Sequence, residues 1–139
     1  MPPTSEPNTL PLPPLFVAIS PGELLDKISI LEIKSERMTD HFKLCHVLHE
    51  LATLADVRKS LADSAQLTAL ASELKTVNER LWDVEDAIRD CERRQNFGPD
   101  FVELARSVYR QNDVRAKLKR QINELLGSNL IEEKAYVPY

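Results

Sequence analysis

Three stretches of this chain carry side chains that could do chemistry together. Lys27, Lys34 and Arg37 recur at steps of seven and three, which places them in one stripe if the segment is helical. Trp82, Glu85, Asp86 and Arg89 share one helical face by the same rule, with Glu85 and Arg89 at the i,i+4 spacing of an ion pair. Asn112, Asp113 and Arg115 sit where an apolar seam is interrupted. Cations from Lys27, Lys34, Arg37, Arg89 and Arg115 would bind a phosphate or carboxylate. Glu85, Asp86 and Asp113 would orient those cations, hold Mg²⁺, or serve as acid and base. The plainer alternative is a solvated charged surface with a buried polar network that fixes helix register.

A fourth stretch holds all three histidines and one cysteine: His41, Cys45, His46 and His49. Pairs four residues apart on a helix can offer two metal ligands. However, His41 and His49 stand about 12 Å apart along a helix axis at 1.5 Å per residue. The expectation is therefore exposed histidines and no metal site. Cys45, among apolar residues, reads as an inert thiol. There is no Gly-rich phosphate loop, HExxH, GxSxG or CxxC, so no reaction is fixed by a motif.

The elements that must position these groups read as helices. The chain has 139 residues, 42% apolar and 29% charged, with few aromatics and three glycines, a balance that favours helices over sheets. Six of the nine prolines fall within the first 14 residues, so residues 1–15 are expected to be a disordered or extended arm. Residues 16–139 are expected to form one helical domain. Phe16–Ile19 is a short apolar run suited to one strand. Ser20, Pro21 and Glu23 then make the N-cap, N1 and N3 positions of a capping box, with Ile19 and Leu24 as a hydrophobic staple.

Helix one carries Leu24, Ile28, Leu31, Ser35 and Met38. Thr39 or Asp40 could cap a second helix, although a kink would serve equally. A turn near Ala62–Ser64, with Asp63 and Gln66 as a second capping box, leads to the clearest periodic signal. Leu67, Leu70, Leu74, Val77, Leu81, Val84, Ile88 and Cys91 are spaced three and four apart throughout, a heptad seam. Gly98–Pro99 is expected to end this helix and start the next. Helix four uses Phe101, Leu104, Val108, Leu118, Ile122 and Leu125 and stops at Gly127. Gln111 and Arg115 interrupt its seam, and polar groups at core-facing positions must be paired or face a ligand. The last segment, Asn129–Tyr139, could pair with Phe16–Ile19 in a small two-stranded patch.

The fold class expected is all-α: an antiparallel bundle or coiled-coil hairpin of three to four long helices with short extended ends. A rival reading makes residues 23–96 one long helix in a dimeric coiled coil, since no Gly or Pro lies between Gly22 and Gly98. A net charge of −4 gives no global basic field for nucleic acid. No segment is long and apolar enough to span a bilayer, and the N-terminus does not read as a secretory signal. Two cysteines read as reduced thiols of a cytoplasmic protein.

Ser20–Met38 (SPGELLDKISILEIKSERM), Leu81–Glu92 (LWDVEDAIRDCE), Phe101–Ser128 and Glu132–Tyr136 (EEKAY) resemble a family of small bacterial and phage proteins defined as a domain of unknown function. The resemblance implies a helical protein with no established activity, and a link to cell-envelope glycans, because such genes often neighbour glycosyltransferase or lipopolysaccharide genes. It singles out the stretches already named and adds Tyr109. Two functions follow as expectations. One is a non-enzymatic accessory or interaction protein in a glycan-related pathway, with a protein partner or self-association. The other is a pocket between helices one, three and four for a phosphorylated or nucleotide-sugar anion, with Mg²⁺ as its only candidate cofactor. A helical enzyme resembling chorismate mutases ranks third, because its residue pattern is not reproduced.

Overall fold

A computed structural model describes residues 10–139 of the chain; the first nine residues of the proline-rich arm lie outside that range. Four helices follow one another: α1 (Pro21–Arg37), α2 (His41–Arg58), α3 (Ala65–Arg93) and α4 (Pro99–Leu125). No strand occurs among the described residues. The protein is an all-α bundle, and the two-stranded patch does not form. Residues 10–19 and 129–139 form neither helix nor strand, and they do not join in a ladder.

The helix starts follow from their caps. Ser20 accepts from the Glu23 amide at 3.2 Å, with Pro21 at the first helical position. Asp40 caps α2 through the Lys43 amide at 3.1 Å, so helices one and two are separate rather than kinked. Ser64 caps α3 through the Leu67 amide at 3.1 Å. This corrects the capping box expected at Asp63 and Gln66. Asp63 instead accepts from Arg58 at 2.7 Å, which ties the end of α2 to the turn. These breaks also overturn the single long helix over residues 23–96.

The helix ends obey the same logic, with one surprise. α4 closes at Gly127 (φ +67°), with the Ser128 amide donating to the Asn123 carbonyl at 2.8 Å. α3 closes in the same motif, but its left-handed residue is Gln95 (φ 55°), and the Asn96 amide donates to the Cys91 carbonyl at 2.9 Å. Gly98 does not end α3; it precedes Pro99 as the N-cap of α4.

α1 is the hub. It packs against each of the other three helices, α3 and α4 form the long hairpin, and α2 rests on α1. The core gathers Leu24, Leu25 and Ile28 of α1 around Leu67, Leu74 and Val77 of α3 and Leu118 and Ile122 of α4. The heptad seam of α3 is fully buried only where α1 covers the hairpin, at Leu67, Leu74 and Val77, and again at Cys91. Leu81, Val84 and Ile88 are half-buried, because two helices alone cannot enclose a seam.

Candidate functional site

The centre of the bundle is polar. Asp26 of α1 is completely buried, beside the buried Leu24, Leu25 and Ile28 of the same helix. Its two carboxylate oxygens receive Nε and Nη2 of Arg115 from α4 at 2.9 and 2.5 Å. This is the bidentate geometry in which guanidinium and carboxylate match best. The Asn78 side-chain amide on α3 donates to Asp26 Oδ1 at 2.9 Å and to Ser29 Oγ at 2.7 Å. One network therefore ties three helices together. Hydrogen bonding to Asp26 raises the pKa of Arg115 further, against the opposing effect of burial. The Arg115 side chain remains 29% exposed, so the pair is anchored in the core and ends at the surface.

It ends in a groove of about 530 Å³ between α1 and α3, lined by Ile33 and Lys34 of α1, Trp82, Asp86 and Arg89 of α3, and Arg115. Glu85 lies on its rim and pairs with Arg89 at 3.6 Å, both side chains largely exposed. Arg37 stands 5.8 Å over the Trp82 ring and is drawn along α3 by Asp83 at 2.6 Å and Glu79 at 3.8 Å. α1 thus supplies cover for the off-seam tryptophan. Lys34 forms no ion pair among the described residues, and it opens onto the same groove.

The remaining predicted residues lie elsewhere. Lys27 is exposed and lines no part of this groove. Tyr109 and Asp113 face the other side of α4, where the C-terminal segment folds back. Tyr139 Oη donates to Asp113 at 2.7 Å, Lys134 approaches Asp113 at 3.8 Å, and the Tyr109 and Tyr139 rings meet edge to face at 5.2 Å. Asn112 lies between, accepting weakly from Arg115 at 3.5 Å. The single mixed pocket expected from the sequence is therefore two sites on opposite sides of Arg115. The cause is angular: Arg115 lies on one side of α4, Tyr109 and Asp113 on the other, and Asn112 between them touches Arg115 and also lines the Tyr109 side.

Sequence reasoning missed Asp26, Ser29, Asn78 and Lys119. Lys119 is nearly buried and holds both Glu23 and Glu132 at 2.7 Å. Burial works against its charge, but the hydrogen bonds to Glu132 and Glu23 outweigh this and hold its pKa above the ordinary lysine value. Beside it, the Gly22 amide donates to Asn123 Oδ1 at 2.7 Å. The signal for Asp26 was present: an acid flanked on its own helix face by residues that must be buried requires a cation, and Arg115 interrupts the seam of α4.

The histidine stretch carries no such order. His41, Cys45, His46 and His49 are all exposed on α2. Cys45 is exposed and Cys91 is buried; both are free thiols. Among the described residues no three His, Cys, Asp or Glu side chains gather into a metal-holding group. Nor is any described helix long and apolar enough to cross a membrane.

Fold and site together define a four-helix bundle with a charged, tryptophan-lined groove at its hub. The chain belongs to a family of unknown function (DUF6165), which matches residues 15–138. No curated protein and no solved structure matches it.

Proposed function

We propose that the chain is a small-molecule binding protein whose α1–α3 groove takes an anionic, ring-bearing ligand of the phosphorylated-sugar or nucleotide-sugar class. One observation carries this reading: Lys34, Arg89 and Arg115, from three different helices, open onto one groove beside Trp82. An aromatic face suits a base or sugar ring. Lys34 supplies a cation that no internal carboxylate neutralises, and Arg115 is held rigid by Asp26, so little ordering remains to be done on binding. Glu85 and Asp86 would accept from sugar hydroxyls or hold Mg²⁺ beside a phosphate.

The accessory-protein reading is compatible with this one. A binding protein in a bacterial cell-envelope glycan pathway, working in the cytoplasm with reduced thiols and with a protein partner, would join the groove to the resemblance. Its support is the resemblance and the exposed apolar chain ends.

Trp82 is the one tryptophan of the chain, so its emission reports the groove directly. Titration with nucleotide sugars, sugar phosphates and inorganic phosphate, each with and without Mg²⁺, should give a saturable change for at least one compound. The same compound at 100 times its Kd should add about 2.7 kcal/mol of stability. Lys34→Ala and Arg89→Ala should each weaken it about tenfold, or about 1.4 kcal/mol. A flat response across the panel, in emission and in Tm, would refute the reading.

A further inference from the structure

Residues 10–19 and 129–139, the two ends of the described chain, form neither helix nor strand and carry exposed apolar side chains. Leu15, Phe16 and Val17 are 81%, 93% and 81% exposed, and Tyr136, Val137 and Tyr139 are 81%, 88% and 83% exposed. Among the described residues, neither 10–19 nor 129–139 makes any backbone–backbone hydrogen bond. Backbone that pairs with nothing and carries exposed apolar side chains is open to docking by another segment. The two segments have matching needs, and they leave the bundle from the same end: the Gly22 amide on Asn123 sets the start of α1 against the end of α4.

From that shared origin the ends diverge. The C-terminal segment runs back along α4 and is latched by Tyr139 on Asp113. Together with α4 it forms a groove of about 560 Å³, lined by Val108, Tyr109, Tyr136, Val137, Pro138 and Tyr139 among others. The N-terminal run Leu15–Ala18 stands clear of it. Within its own chain the run does not dock there: Leu15, Phe16 and Val17 stay exposed and none of them lines the groove.

We propose that the occupant is a second copy of this chain: Leu15–Ala18 of one protomer docks on the tyrosine-lined groove of its partner, and the exchange is reciprocal. A twofold arrangement makes the two docks equivalent and leaves no open end for further addition. Each dock would cover Leu15, Phe16 and Val17 on one side and the tyrosine rings and Val137 on the other. At 150 Å² or more per aromatic ring, the two docks remove roughly 1,500 Å² in total, the size of a stable specific interface. Pro11, Pro13 and Pro14 pre-extend the approach to the docking run, and Pro138 ends the pairing because it has no amide to donate. The interface lies on the opposite side of α4 from the Trp82 groove, so it stands or falls independently of the ligand proposed there.

Sedimentation equilibrium of the full chain tests this. The mass expected is twice 15.8 kDa at micromolar concentration, and monomer alone up to about 1 mM would overturn the proposal. Phe16→Asp and Val137→Asp, on the two sides of the dock, should each raise the dimer dissociation constant at least tenfold while the helical circular dichroism is unchanged. A dimer indifferent to both would refute the exchange. In a Cys45→Ser background, Val17→Cys with Val137→Cys should oxidise to a covalent dimer. A disulfide-linked monomer would instead show that the ends meet within one chain, and would equally overturn it.

Discussion

α1 and α2 are of nearly equal length, 17 and 18 residues, and adjoin in sequence, yet α1 buries eight residues and α2 only Val47. Both start with a side-chain cap and both carry apolar residues at helical spacing. The difference lies in what surrounds them. α1 crosses the α3–α4 hairpin and also receives α2, so it is covered on several sides and even Asp26 is enclosed. α2 meets one neighbour, α1, and leaves Phe42, Leu48 and Val57 in water. Burial, and with it the cost of substitution, is set by the number of neighbours rather than by the helix's own composition.

Substitutions can break or sharpen that contrast. The largest effect is expected at Asp26. Asp26→Ala leaves Arg115 without its carboxylate, which should cost about 3 kcal/mol, at the low end of the range for a buried pair because Arg115 is partly exposed. Urea denaturation measures it, and the Arg115→Ala single and double variants should show strong non-additivity. Gly22→Ala comes next. A methyl there would sit 2.5 Å from the Lys119 carbonyl oxygen and 2.9 Å from Asn123 Oδ1. Backbone must move, at about 2 kcal/mol, and a neutral outcome would mean that the α1–α4 junction is looser than described.

On α2 the effects should shrink. Val47→Ala, at the one buried position, should cost about 1 kcal/mol in the same assay. Phe42→Ser and His49→Ala, both exposed, should each stay within about 0.5 kcal/mol. A loss above 2 kcal/mol at either would show that α2 has a second neighbour and would end the comparison.

The smallest effect concerns pH. Lys119 ties Glu23 of α1 to Glu132 of the C-terminal segment, and its pKa is raised. A raised lysine contributes fully below the ordinary lysine pKa and loses its contribution as pH climbs through the raised value. The Tyr139 hydroxyl is raised by donating to Asp113, so that latch too is made at neutral pH and fails only above the usual phenol range. The mobility of a spin label on Ala135→Cys, in a Cys45→Ser background, should be unchanged from pH 7 to pH 9 and should rise above about pH 10.5. Release below pH 9 would show that neither group holds the segment.

Much of the α1 side was legible in advance. Ser20, Pro21 and Glu23 announce a helix start because a cap acts on amides two and three residues away, and such chemistry is local. The heptad run in α3 was equally plain. The groove was half legible: helical periodicity places Trp82, Glu85, Asp86 and Arg89 on one face of α3. Periodicity cannot say that Lys34 arrives opposite them while Lys27, seven residues earlier on the same stripe, does not. That depends on where α1 crosses α3. Gln95 was invisible because its left-handed turn uses a residue with no preference for it.

By itself, then, the sequence determined the helices, their starts, the seam and the charged faces, since each depends on residues within a few positions of one another. Only the tertiary structure decided that Asp26 meets Arg115 and Asn78, that the candidate residues part between the Trp82 groove and the tyrosine groove with Lys27 in neither, and that the two terminal segments do not pair. The first of those outcomes joins residues 89 positions apart, Asp26 and Arg115. Such separations are fixed by how the helices cross and by which surfaces are left for water, and no local pattern records either.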